Sequence, residues 1–173
     1  LMIKPSTRVV MVSAGFWPAV GGAERQALEL SRELRGRGVG VLVLTRRVGL
    51  TPSREEVQGV PVRRLRVFGT GSLDSLSFLF GALGWLLKHG GDYDAIHAHL
   101  AGSPALAAAL AGRWLGKPVL VKLGGGRGIG AATARLAAKR GYSVCVNFLS
   151  DRTSADRVVQ DIRDDGGTAI AVP

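Results

Sequence analysis

Arg8-Val9-Val10-Met11-Val12-Ser13-Ala14-Gly15-Phe16-Trp17-Pro18-Ala19-Val20-Gly21-Gly22-Ala23-Glu24 decides the fold. An aliphatic run enters a glycine-bearing turn, and Ala23, Ala27, Leu30 and Leu34 then fall on one stripe of a helix over Gly22–Arg37. A strand with no apolar–polar alternation is covered on both faces, as parallel strands are. The same unit recurs along the chain. Strands are predicted at Arg8–Ser13, Val39–Arg46, Val62–Val67, Ala95–Ala98, Val119–Leu123, Ser143–Phe148 and Thr168–Val172. Further helices are predicted at Leu73–Lys88, Pro104–Leu115, Ile129–Arg140 and Ser154–Asp164. This alternation implies right-handed crossovers and an α/β, doubly wound, mostly parallel sheet. About seven strands are expected in one sheet, in the order 3-2-1-4-5-6-7, with Val48–Gly59 as a surface loop.

The chain has 173 residues, enough for one sizeable domain or two small ones. A single domain of that size buries roughly 70% of its unfolded surface and needs no covalent staple. The lone Cys145 excludes a disulfide framework and a cysteine-based zinc site, and no metal site is expected. Leu76–Leu87, the longest strongly apolar stretch, is 12 residues. That falls short of the ~20 needed to span a bilayer. A soluble, cytoplasmic protein is expected. The formal charge is +10, and Arg32, Arg35, Arg37, Arg46, Arg47, Arg54, Arg63, Arg64 and Arg66 concentrate the excess. Such an excess is a solvated basic face, or it attracts an anionic membrane surface or an acidic ligand. No nucleic-acid motif accompanies it, so no nucleic-acid partner is expected.

Glycines after the first strand let the backbone approach a ligand, and the helix that follows offers its amides to an anion such as a diphosphate. Asp92-Tyr93-Asp94-Ala95-Ile96-His97-Ala98-His99 puts two histidines on one face at the carboxyl end of the fourth strand. Ligands of open α/β sheets sit beyond the carboxyl ends, near the switch between strands one and four, and His99 lies closest to that crevice. Residues 8–123 resemble the N-terminal domain of a GT-B, family-4-type glycosyltransferase. The resemblance rests on Pro18, Gly21-Gly22-Ala23-Glu24-Arg25, Leu30, Leu34, Gly38, Asp94–His99 and the strand Lys117–Leu123. It implies a Rossmann-like fold, a nucleotide-sugar as donor substrate, Gly21 and Gly22 at the donor diphosphate, and His99 as a catalytic-site residue near the transferred sugar. That family carries an acidic catalytic motif in a C-terminal domain, and nothing after Leu123 resembles it.

A second glycine turn follows the fifth predicted strand: Gly124-Gly125-Gly126-Arg127-Gly128-Ile129-Gly130. Between a strand and a helix, this spacing permits a tight turn and backbone approach to a pyrophosphate. The next strand ends at Asn147 and Phe148 with no acidic residue to hold a ribose 2′-hydroxyl, while Arg127 and Arg152 suit a 2′-phosphate. NADP therefore fits better than NAD. Residues 124–173 resemble the N-terminal NAD(P)-binding segment of a short-chain dehydrogenase/reductase, through Gly124, Gly128, Ile129, Gly130, Ala137, Gly141-Tyr142, Val146-Asn147, Val158, Ile162 and Gly166-Gly167. The resemblance implies weak NADP binding at Gly124, Arg127, Gly128, Ile129, Gly130 and Asn147. The family's catalytic Ser and Tyr-x-x-x-Lys have no counterparts here, so no dehydrogenase turnover is expected.

The chain thus reads as a hybrid: 1–123 glycosyltransferase-like, 124–173 dinucleotide-binding-like, continuing the same sheet. Leu1 and the end at Pro173 are read as marks of a recombined or truncated frame, or of a chimera. Three expectations remain open: a nucleotide-sugar domain inactive alone, a dinucleotide-binding module, or a folded hybrid without activity. Lys122, in a strand covered on both faces, must find a partner or reach solvent. The aromatics of Leu73–Lys88 with the arginines before it also fit peripheral docking on an anionic membrane, as suits a lipid-linked acceptor.

Overall fold

The computed structural model describes residues 7–19, 21–122, 129–148 and 151–172. The elements are β1 (Arg8–Ser13), α1 (Gly22–Gly36), β2 (Gly40–Arg46), β3 (Arg54–Val57), β4 (Val60–Leu65), α2 (Ser72–Lys88), β5 (Ala95–His99), α3 (Ser103–Leu115), β6 (Val119–Lys122), α4 (Ile129–Lys139), β7 (Val144–Asn147), α5 (Arg152–Asp164) and β8 (Ala169–Val172). Two compact units divide the chain, residues 1–122 and 123–173.

In the first unit six strands form a sheet in the order β3-β4-β2-β1-β5-β6. Every ladder in it is parallel except β3 against β4. The side chains of β1 alternate between two cores. Val10 and Val12 pack with Leu44, Ile96, Ala98, Phe78 and Leu86 under α2 and α3. Met11 packs with Val43, Val60, Val62, Ala27 and Leu28 under α1. Each such fully buried side chain contributes about 1.5–3 kcal/mol. Both faces are therefore covered, the reason the strands carry no polar alternation.

The expected single sheet of seven strands is corrected in two places. Val48–Gly59 is not a loop throughout, because Arg54–Val57 pairs antiparallel with β4 as an edge strand. A two-residue connection makes this hairpin: Gln58 has φ 49° and Gly59 φ 81°, the left-handed pair whose twist matches that of the flanking strands. At the other end, β7 and β8 form a parallel two-stranded sheet rather than strands six and seven of the first. Their ladder runs from Val144↔Ala169 to Asn147↔Val172. The α5 crossover lets the two strands pair with each other, and Ala134, Ala138, Val158, Val159, Ile162 and Ala169 bury a small core of their own. Asp151 caps α5 by accepting the Ser154 amide at 3.0 Å.

Candidate functional site

At the carboxyl end of the first sheet, β1 stops at Ser13, whose hydroxyl donates to the Gly15 carbonyl at 2.6 Å and starts the turn. Gly21 is extended (φ −128°, ψ 175°) and α1 begins at Gly22. Ser13, His99 and Lys122 are successive ladder partners across β1, β5 and β6, so one row carries all three. The i, i+2 spacing puts His97 and His99 on one face, with ring centroids 5.7 Å apart.

His99 is fully buried, and its Nε2 lies 3.0 Å from the Ala23 carbonyl in the first turn of α1. A carbonyl only accepts, so Nε2 carries the proton and Nδ1 is left as a bare acceptor. Among the described residues His99 Nδ1 and His97 Nε2 are buried without a hydrogen-bond partner. Burial pulls the His97 pKa down to about 4, with the charges of His99 and Lys122 adding to it. Burial and Lys122 pull His99 down to about 4 as well, opposed by the Ala23 hydrogen bond and by Glu24. Both rings are neutral at pH 7.

The Glu24 side chain lies against both glycines of the turn. A Cβ on Gly15 would come within 2.6 Å of Glu24 Oε1, and one on Gly21 would strike Glu24 Oε2. The Glu24 carboxylate thus occupies the hollow between the two arms of the turn, at the positive end of α1. Gly22 differs: a Cβ there would meet nothing within 4 Å, so open space lies beside its Cα.

Arg64 was not singled out as a functional residue by sequence. It is only 2% exposed. Its Nε donates to Glu55 Oε1 at 2.6 Å and its Nη2 to the Trp17 carbonyl in the glycine turn. An arginine followed by an apolar residue at a strand end gives no sign of burial; only the unrecognised strand β3, which brings Glu55, explains it. Lys122 finds its partner in α1, donating from Nζ to Gln26 Oε1.

In the second unit, Gly124, Arg127 and Gly128 lie outside the described residues. Ile129 and Gly130 open α4, and Asn147 ends β7 as the ladder partner of Val172. Arg135 and Asp161 join α4 to α5. No group of three His, Cys, Asp or Glu among the described residues is placed to hold a metal ion, and no helix among them is long and apolar enough to cross a membrane.

Residues 21–171 match the family described as a glycosyl transferase 4-like domain. The chain is 35% identical over 98 residues to the GDP-mannose:cellobiosyl-diphosphopolyprenol alpha-mannosyltransferase of Komagataeibacter xylinus, covering 53% of this chain and 23% of that protein. It is 50% identical over 54 residues to an uncharacterized oxidoreductase of Methylorubrum extorquens, covering 31% of this chain and 22% of that one. The matches thus span less than a quarter of these curated relatives. Among solved structures, the sucrose-phosphate synthase of Thermosynechococcus elongatus superposes with a TM-score of 0.63 at 14% identity, over 96% of this chain and 48% of that one; this likeness is one of fold.

Proposed function

The chain belongs to the glycosyl transferase 4-like family, and from that premise we propose that residues 1–123 are the N-terminal, nucleotide-sugar-binding domain of a glycosyltransferase. The observation that carries this reading is His99: a buried, neutral imidazole fixed to the first turn of α1 through Nε2, with Nδ1 unpartnered. In such a reaction an acceptor oxygen displaces a nucleoside diphosphate from the anomeric carbon of the donor. The amides at Gly21 and Gly22 and the positive end of α1 stabilise the charge that gathers on the diphosphate. His99 Nδ1, buried in this conformation, accepts a hydrogen bond from a sugar hydroxyl once the donor opens the site, and orients the ring. The reading assigns this segment the binding of the donor.

The acceptor side is read from α2. Leu73, Leu76 and Phe80 are 66%, 48% and 67% exposed on one helical stripe, and Phe68 precedes them at 72%. With Arg54, Arg63 and Arg66 on nearby elements, this face suits an anionic membrane holding a lipid-linked acceptor. The name of the mannosyltransferase relative specifies such an acceptor, a diphosphopolyprenol.

Calorimetric titration of the folded chain with GDP-mannose and UDP-glucose tests the reading. Heat of binding that His99→Ala reduces is the expected result, and no heat for any nucleotide-sugar would overturn it. The oxidoreductase relative favours a second reading for residues 124–173, weak NADP binding at Gly124, Arg127, Gly128, Ile129, Gly130 and Asn147 without turnover. Titration with NADP at millimolar concentration, on wild type and Gly128→Val, decides it.

A further inference from the structure

Lys122 ends β6 as the ladder partner of His99, and its ammonium reaches α1, where it donates to the side-chain carbonyl of Gln26. The side chain is half-buried. An ammonium has three donors and one positive charge, and Gln26 satisfies one donor and none of the charge. No carboxylate forms an ion pair with Lys122 among the described residues. Its row holds Ser13 and the neutral ring of His99, and the neutral His97 ring lies beside His99. Each ring has an unpartnered buried nitrogen, and the nearest acid, Glu24, acts on His99 and not on Lys122. A partly desolvated cation among neutral groups is costly to hold unless an anion completes the arrangement. Burial accordingly lowers its pKa, with no acidic group opposing the shift. The space beside Gly22 is open at the start of α1, one turn before Gln26.

We propose that Lys122 is an anion-binding residue of the site, receiving a phosphoryl oxygen of the donor diphosphate on the side of the crevice opposite the Gly21–Gly22 amides. The inference rests on the nucleotide-sugar reading and adds to it the cation that neutralises the diphosphate. Two fixed amides and a helix dipole supply only partial charges. A whole charge on β6 supplies the remainder and brackets the diphosphate between β6 and α1. Held there, the anion also lies against His99, whose ring then reports its arrival.

The test is a titration of the whole chain with inorganic pyrophosphate, followed by calorimetry and by the ring signals of His97 and His99 in NMR. Three variants accompany wild type: Lys122→Met, which matches the aliphatic stem; Lys122→Gln, in case the first packs differently; and Lys122→Arg. Gly22→Val separates the two claims, because its Cβ meets nothing in the fold and so obstructs only a ligand. The expected result is a tenfold or greater loss of pyrophosphate affinity in Lys122→Met and Lys122→Gln, with most of it kept in Lys122→Arg. The His99 ring signal moves on titration in wild type and not in Lys122→Met. Unchanged affinity in both neutral variants, with loss in Gly22→Val, would overturn the role of Lys122 and leave the glycine cradle standing. Loss in the Lys122 variants alone would support Lys122 and remove the cradle. No binding by folded wild type would overturn both.

Discussion

The guanidinium of Arg64 and the carboxylate of Glu55 meet at 2.6 Å across the β3–β4 hairpin, with the arginine side chain wholly withdrawn from water. The pair is the electrical centre of the sheet edge. Glu55→Gln removes its anion and leaves Arg64 buried with an uncompensated charge, at a cost of about 3–5 kcal/mol. Urea denaturation should show this drop. Glu55→Leu combined with Arg64→Leu should recover a large part of it, since a hydrophobic pair replaces a buried ionic one.

Glu24 is expected to compete with an incoming diphosphate. Its carboxylate lies against Gly15 and Gly21, where the proposed diphosphate site would be. Glu24→Gln keeps the shape and removes the charge. Pyrophosphate affinity should rise roughly three- to tenfold, the scale of a like-charge contact at a partly exposed site. Calorimetry in low salt checks this, and the gain should shrink as salt is added.

Acidification should destabilise the first unit over a defined window. His97 and His99 have folded pKa values of about 4, below the ordinary value of 6.5. Between those values the unfolded chain binds more protons than the folded one, so folding loses ground as pH falls from 6.5 towards 4 and no further from these groups below it. Thermal melts at half-unit pH steps should show the slope. His97→Asn, which cannot titrate, should flatten it.

Gly112 is where α3 lies closest to the strand that follows it. A Cβ there would stand 2.9 Å from the Lys117 carbonyl and collide with the Val119 side chain. Gly112→Ala should therefore destabilise the chain by about 1–3 kcal/mol, although alanine favours a helix interior over glycine by nearly 1 kcal/mol. A lower denaturation midpoint with an unchanged slope is the expected record.

Co-sedimentation with vesicles addresses α2. Wild type should bind vesicles rich in anionic lipid and should not bind neutral ones. Leu73→Ser with Phe80→Ser should weaken that binding at least threefold without loss of stability, because both side chains are largely exposed.

The residues that made the parallel sheet and its helices readable were those that repeat a local rule. Val9–Val12 and Val41–Leu44 show no polar alternation, Gly21 precedes a helical stripe, and Ile96, His97 and His99 alternate on a strand. What escaped was what depends on partners distant in sequence. Arg54-Glu55-Glu56-Val57 has the composition of a loop, and only pairing with β4 makes it a strand. Arg64 resembled any surface arginine until Glu55 and the Trp17 carbonyl were brought to it. The closeness of Glu24 to Gly15 and Gly21 belongs to the fold of the turn, which brings a later side chain back over them. Nor does composition say that Val144–Asn147 and Ala169–Val172 pair with each other; either strand is equally suited to any parallel neighbour.

Through the bond from Arg64 to the Trp17 carbonyl, the outermost hairpin of the sheet holds one end of the glycine turn that the proposed donor site is built on. On the proposed reading, the hairpin is a remote handle on the shape of the donor site. Substitutions along β3 or at Gln58–Gly59 would shift the purchase of Arg64 and retune the shape of the glycine turn without altering any group that touches a donor. If the proposed donor site holds, a library confined to residues 54–60 would reshape it while leaving His99 and the start of α1 unaltered.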